Sequence, residues 1–105
     1  MPTDLSFIRR ADSSVFEARL ADGTLAGSLN FSVTADGDWR LVHTAVEPAF
    51  EGRGVGGFLA RATLQAARDA GVQVLPDCSF VAGYIARHTE WADLVPADLR
   101  RGYGL

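Results

Sequence analysis

The sequence has one cysteine, Cys78, so no internal disulfide can form. That scarcity points to a reducing compartment, with the cytoplasm as the default location. No apolar run approaches the roughly twenty residues a membrane-spanning helix needs, which excludes a spanning segment of that kind. The opening Met1-Pro2-Thr3-Asp4 has no basic stretch leading into an apolar one, so no secretory signal is expected. Net charge is −3, and the basic pairs Arg9-Arg10 and Arg100-Arg101 are too short to form the stripe of a nucleic-acid binder. The two histidines and the cysteine lie far apart, without Cys-x-x-Cys or His-Glu-x-x-His spacing, so no metal site is expected. Internal repeats and low-complexity segments are also lacking.

What is present is ordinary in bulk. The 105 residues suit one domain, 1–105, with a modest core, and 48% of them are apolar. The first half reads as an antiparallel meander. Leu5 to Arg10 allows a short first strand, and Val15 to Leu20 alternates apolar and charged residues. Asp22-Gly23 predicts a two-residue hairpin turn, in which both central positions take positive φ. Leu25 to Thr34 alternates again, Asp36-Gly37-Asp38 makes the next turn, and Trp39 to Val46 forms a strand that Pro48 stops.

The second half changes period. After a glycine-rich turn, Val55, Leu59, Ala62, Ala66 and Ala70 fall on one helical face, with Arg61, Gln65 and Arg68 opposite. Gly71 is placed to cap that helix. Val72 to Leu75 reads as a strand ended by Pro76, and Ser79 to His88 as a second helix. The class is therefore α+β, with an antiparallel meander followed by strand, glycine loop, helix, strand and helix. A late parallel crossover is implied.

A strand that ends in a glycine turn and opens a helix makes an anion site, because the first helical N–H groups lack internal partners. Gly52, Gly54, Gly56 and Gly57 lie close together here, and Arg53 adds a mobile cation. A Walker loop is absent, since no Gly-Lys followed by Ser or Thr occurs. Gly52, Gly54 and Gly57 match dinucleotide spacing formally, but they follow a meander rather than a parallel sheet.

The stretch Val42 to Leu59 resembles the core motif of GNAT-type N-acetyltransferases, with Val46-Glu47-Pro48 closing the strand and Gly54 and Gly56 in the two glycine slots. Glu51 stands where that motif usually has Gln or Arg. Pro76-Asp77-Cys78-Ser79-Phe80, then Tyr84-Ile85 and His88, resembles the small single-domain N-acetyltransferase domain-containing protein 1-like subfamily. The resemblance implies a GNAT fold without the usual N-terminal helices, and acetyl-coenzyme A (acetyl-CoA) as co-substrate. Its binding residues would be Val46, Glu51, Gly52, Arg53, Gly54, Val55, Gly56 and Gly57. The acceptor is an unidentified amine, on a small molecule or a lysine. The alternative is a non-catalytic or weakly active acyl-CoA-binding module.

Three residues are candidates for the chemistry. Cys78 is ordinarily a small buried residue, but the resemblance places it beside the cofactor cleft, as acyl acceptor or as part of the acceptor pocket. His43, read as sharing a face with Leu41 and Ala45, is the candidate base on a strand where such enzymes often carry one. Tyr84 fills the slot of a tyrosine that protonates the leaving sulfur, and His88 shares its helical face. Phe31, Trp39, Phe58 and Phe80 read as core, and Trp91 as core or lid.

Overall fold

The computed structural model describes residues 4–9 and 14–105. Five strands, β1 (Leu5–Arg9), β2 (Val15–Leu20), β3 (Leu25–Val33), β4 (Trp39–Val46) and β5 (Val74–Pro76), form one sheet in chain order. The first four pair antiparallel, and β4 pairs with β5 in parallel. Helix α1 (Val55–Ala70) connects β4 to β5, and α2 (Ser79–Arg87) follows. The expected α+β order is therefore the observed one, while Arg10 of the expected first strand lies outside the described residues.

The turns differ in detail from the two-residue reading. Gly23 N–H donates to the Leu20 carbonyl and Leu20 N–H to the Thr24 carbonyl, both at 2.9 Å, so the loop has three residues. Gly23 takes φ +90°, whereas Asp22 keeps negative φ and accepts the Thr24 N–H on its carboxylate. The β3–β4 turn repeats this pattern around Gly37. A type I turn closed by one left-handed glycine demands less than two positive-φ positions, and so accommodates aspartate.

One sheet face builds the core. Phe16 stacks between Phe7 and Phe31, at centroid distances of 4.8 and 4.6 Å, and Leu29, Leu41 and Trp39 extend the buried layer. Helix α1 lies on this face and buries Val55, Leu59, Ala60, Thr63, Leu64 and Ala67. The predicted stripe was set too far round: Ala62 and Ala66 are half-buried and Ala70 is exposed. Leu64, the larger side chain, turns the helix so that the alanines fall at the rim. Gly71, in the left-handed conformation, caps the helix as expected.

Strand β5 begins at Val74 and includes Pro76, later than the sequence suggested, because Val72 completes the helix cap by donating to the Ala67 carbonyl. Proline is tolerated there because β5 is an edge strand. Trp91 resolves as core, 7% exposed, with the Arg68 guanidinium 4.9 Å over its ring. Among the described residues no helix is long and apolar enough to cross a membrane.

The decisive irregularity is in β4. Asn30 pairs with His43 but Phe31 pairs with Leu41, so Val42 is an extra residue and the strand bulges. A bulge reverses the alternation beyond it. Trp39 and Leu41 are buried, Val42 and His43 are both exposed, and Thr44 and Val46 then turn inward. His43 therefore faces away from the side that Leu41 packs on, which corrects the shared face expected from strict alternation.

Helix α1 approaches the sheet closely at Gly27. A Cβ there would lie 2.8 Å from the Ala45 carbonyl oxygen and 2.9 Å from Val55 Cγ1. Gly27→Ala is expected to destabilise the fold by about 1–3 kcal/mol through overpacking, measured as a lower midpoint in urea unfolding.

Candidate functional site

Strand β4 pairs with β5 only over Trp39–Leu41, and among the described residues its far half has no strand neighbour on that side. The last link is the Cys78 N–H to the Leu41 carbonyl, at 2.8 Å. Beyond it the two strands part. Glu47 N–H donates to Ala26 on β3, so by alternation the N–H groups of Val46 and Thr44 point into the opening.

Pro48 ends the strand, since it has no N–H to donate and starts the short turn Pro48–Phe50. Gly52 and Gly54 follow with φ +78° and +80°, and Gly54 is the N-cap of α1. The first helical bond runs from Phe58 N–H to the Gly54 carbonyl. The N–H groups of Val55, Gly56 and Gly57 thus have no partner within the helix. No side chain caps this end and no acidic residue occupies its first turn. The positive end of the helix dipole is open to an anion. Gly56 and Gly57 serve a different purpose from Gly52 and Gly54. They lie in regular helix beneath α2, and a Cβ on them would stand 2.8 Å from Phe80 and 3.9 Å from Tyr84 respectively.

Two adjoining hollows share Gly52, Gly54 and Gly57. The larger, about 1070 Å³, lies between the helices and is lined by Arg53, Arg61, Tyr84 and His88, with no carboxylate on its wall. The smaller, about 370 Å³, is walled by Val46, Phe50, Val55 and Phe80, with Glu51 at its margin. A trough therefore runs from a cationic groove, past the bare helix end, to Val46 at the end of β4. Arg53 is exposed, with its guanidinium 5.9 Å over the Phe50 ring.

Of the residues singled out from sequence, Val46 and the loop Glu51 to Gly57 line this trough, and Tyr84 faces it from α2. Tyr84 is half-buried, with its ring centroid 4.2 Å from that of His88. Cys78 is 8% exposed at the N-cap of α2, where the strands separate, and its sulfur lies 3.4 Å from Thr44 Oγ1. His43 stands apart from both hollows, exposed on the other face of the sheet. The sequence reading missed Thr44, Arg61 and Phe80 as site residues. Phe80 was read as core but is 41% exposed, and Phe58 is a half-buried wall of the larger hollow.

Asp77, the residue before Cys78, is held by contacts away from the thiol. It accepts hydrogen bonds from Arg40 and from the Tyr103 hydroxyl, each at 2.7 Å. Burial acts to raise its pKa, but the bonds from Tyr103 and Arg40 and the Arg40 charge outweigh it and hold the carboxyl below its usual range.

A family profile described as GCN5-related N-acetyl-transferase matches residues 15–94. No curated protein matches the chain. The chain belongs to the GCN5-related N-acetyl-transferase family, and the sheet and helices above are its GNAT-like acyltransferase fold. Membership supports a general acyl-transfer function.

Because the folded-state pKa of Asp77 is depressed, its stabilising contribution is present above the ordinary carboxylate pKa and is lost as pH falls through the lowered value. Asp77→Asn should therefore lower the thermal midpoint at neutral pH. The gap from the parent protein should close on acidification below about pH 4, as followed by circular dichroism.

Proposed function

We propose that the chain binds acetyl-CoA and transfers its acetyl group to an amine, on a small molecule or a lysine. The observation that supports this most is the uncapped N-terminus of α1 at the end of a strand whose other edge is open. The residues suit the co-substrate. Three backbone N–H groups and Arg53 would hold a pyrophosphate, and a Cβ added at Gly54 would meet nothing within 4 Å, so phosphate has room to approach. Arg61 extends the cationic wall for a further phosphate, with the His88 ring beside it. Acetyl-CoA supplies the activated thioester.

In this reading the N–H groups of Val46 and Thr44 orient the thioester arm and polarise its carbonyl. Tyr84 holds a proton for the leaving sulfur. Cys78, at the apex of the parting, is the acyl acceptor or a wall of the acceptor pocket. His43 would serve as base only toward an amine arriving from the other sheet face. The Pro76-x-Cys78-x-Phe80 pattern, with Tyr84-Ile85 and His88, favours the N-acetyltransferase domain-containing protein 1-like subfamily and a single domain. The second reading, an acyl-CoA-binding module with little turnover, is favoured by the exposure of Arg40, His43 and Ala45 along β4.

Acetyl-CoA should raise the thermal midpoint, since a ligand at 100 times its Kd stabilises the folded state by about 2.7 kcal/mol. Arg53→Ala should weaken binding about tenfold in calorimetry, the scale of one lost charge-assisted bond. No stabilisation by acetyl-CoA would sink both readings, and thiol release over an amine panel separates them.

The chain contains no lysine. Acetyl adducts therefore cannot form on lysine side chains, which sharpens intact-mass spectrometry after incubation with acetyl-CoA. A covalent route gives one added acetyl group that disappears in Cys78→Ala. An unchanged mass, with full activity in Cys78→Ala, would leave direct transfer.

A further inference from the structure

Tyr103 lies outside the stretch that the family profile matches, residues 15–94, so membership does not account for it. A series of short-range bonds builds its turn. Arg100 Nε donates to the Val95 carbonyl at 2.9 Å, the Leu105 N–H donates to the Arg100 carbonyl at 2.9 Å, and Gly104 closes the turn with φ +79°. Val95 is fully buried, and Tyr103 and Leu105 pack against the core. The ring is thus set in place by its own segment, and its hydroxyl donates to Asp77 Oδ1 at 2.7 Å.

Asp77 is the joint between β5 and α2. Strand β5 has three residues, and its pairing with β4 covers those three. The residue after Asp77 is Cys78, whose N–H is bound to Leu41 and whose carbonyl accepts the Ala82 N–H at 3.0 Å. The backbone of Cys78 is therefore held by a bond on the strand side and a bond on the helix side. Arg40 grips the joint from β4, through Asp77 Oδ2, and Tyr103 grips it from the last turn. A part-exposed hydrogen bond adds little to global stability. A tyrosine set this firmly against one carboxylate is better explained by what it fixes nearby.

We propose that Tyr103 is a positioning residue of the site: through Asp77 it latches the joint between β5 and α2, and so keeps Cys78 beside Thr44 and closed to solvent. This goes beyond the acetyl-CoA reading and does not rest on it. A short edge strand frays from its end, and the latch sits at that end. When the hydroxyl bond is lost, the end of β5 and the first turn of α2 open locally. The thiol is then reached without unfolding of the sheet.

The experiment reads the thiol directly. The chain has one cysteine, so alkylation by iodoacetamide reports Cys78 alone. Its rate is followed across pH by intact mass, so that access, read from the plateau, is separated from ionisation, read from the midpoint. Tyr103→Phe, which keeps the ring and removes the donor, is expected to raise the plateau rate about fivefold, the scale of one hydrogen bond. Ala66→Gly, a mid-helix change in α1 that lowers the urea midpoint on a similar scale, should leave the plateau within about twofold of the parent. In an Asp77→Ala background, Tyr103→Phe should add nothing further, since the two residues act as one unit. An unchanged plateau in Tyr103→Phe, an equal acceleration in Ala66→Gly, or a full effect of Tyr103→Phe without Asp77 overturns the assignment. No acyl donor enters the measurement, so a failure of acetyl-CoA to bind would remove that reading and leave this one to be decided by the thiol.

Discussion

The rest of the site depends on a lapse in strand pairing. Parallel β4 and β5 stay bonded as far as Leu41 and then separate, held at the fork by the Cys78 N–H on the Leu41 carbonyl. Unpaired backbone groups in a protein interior are costly, so a fork persists only where solvent or a ligand can satisfy them. The bulge at Val42 decides which groups face it. Without the extra residue, Thr44 and Val46 would point their N–H groups at β3. With it, those donors turn to the opening, while the side chain of Thr44 comes within 3.4 Å of the Cys78 sulfur.

The glycine loop divides its labour accordingly. Gly52 and Gly54 supply backbone conformations that other residues resist, and so bend the chain from strand to helix. Gly56 and Gly57 supply the absence of side chains, letting Phe80 and Tyr84 of α2 come down onto the first turn of α1. The same four residues therefore expose the helix N-terminus on one side and seat the rings beside it on the other. Neither task alone accounts for the spacing.

The meander, the glycine loop and the order of helices were legible because each rests on local signals: period-2 alternation from Val15 to Val33, Gly71 after a helical run, and Pro48 after a strand. The bulge was not legible, because Val42-His43 continues a plausible alternation and only the pairing with Asn30 and Phe31 reveals the surplus residue. That single residue is why His43 was placed on the wrong face and Thr44 overlooked. Phe80 was misread for a related reason. Sequence reports that an aromatic residue is apolar, and whether it is buried depends on which helix meets it. The two rings of α2 stand over glycines and not over larger side chains, and that fact belongs to the contact between α1 and α2.

Asp77 shows how the fork is kept open without a further strand. It follows β5 directly, and both its oxygens are occupied, one by Arg40 of β4 and one by Tyr103 of the C-terminal turn. The Arg40 bond ties β5 to β4 at the last paired positions, and the Tyr103 bond brings the chain end against the same point. These groups are partly exposed, so each contact is worth little alone. Their location matters more than their strength. They fix where pairing stops, one residue before Cys78 and the start of α2. Neither oxygen of this carboxylate caps the N–H groups at the beginning of α2, and the fork, its thiol and the helix above it are positioned by contacts beside the last paired residues while the trough on the helical side stays clear.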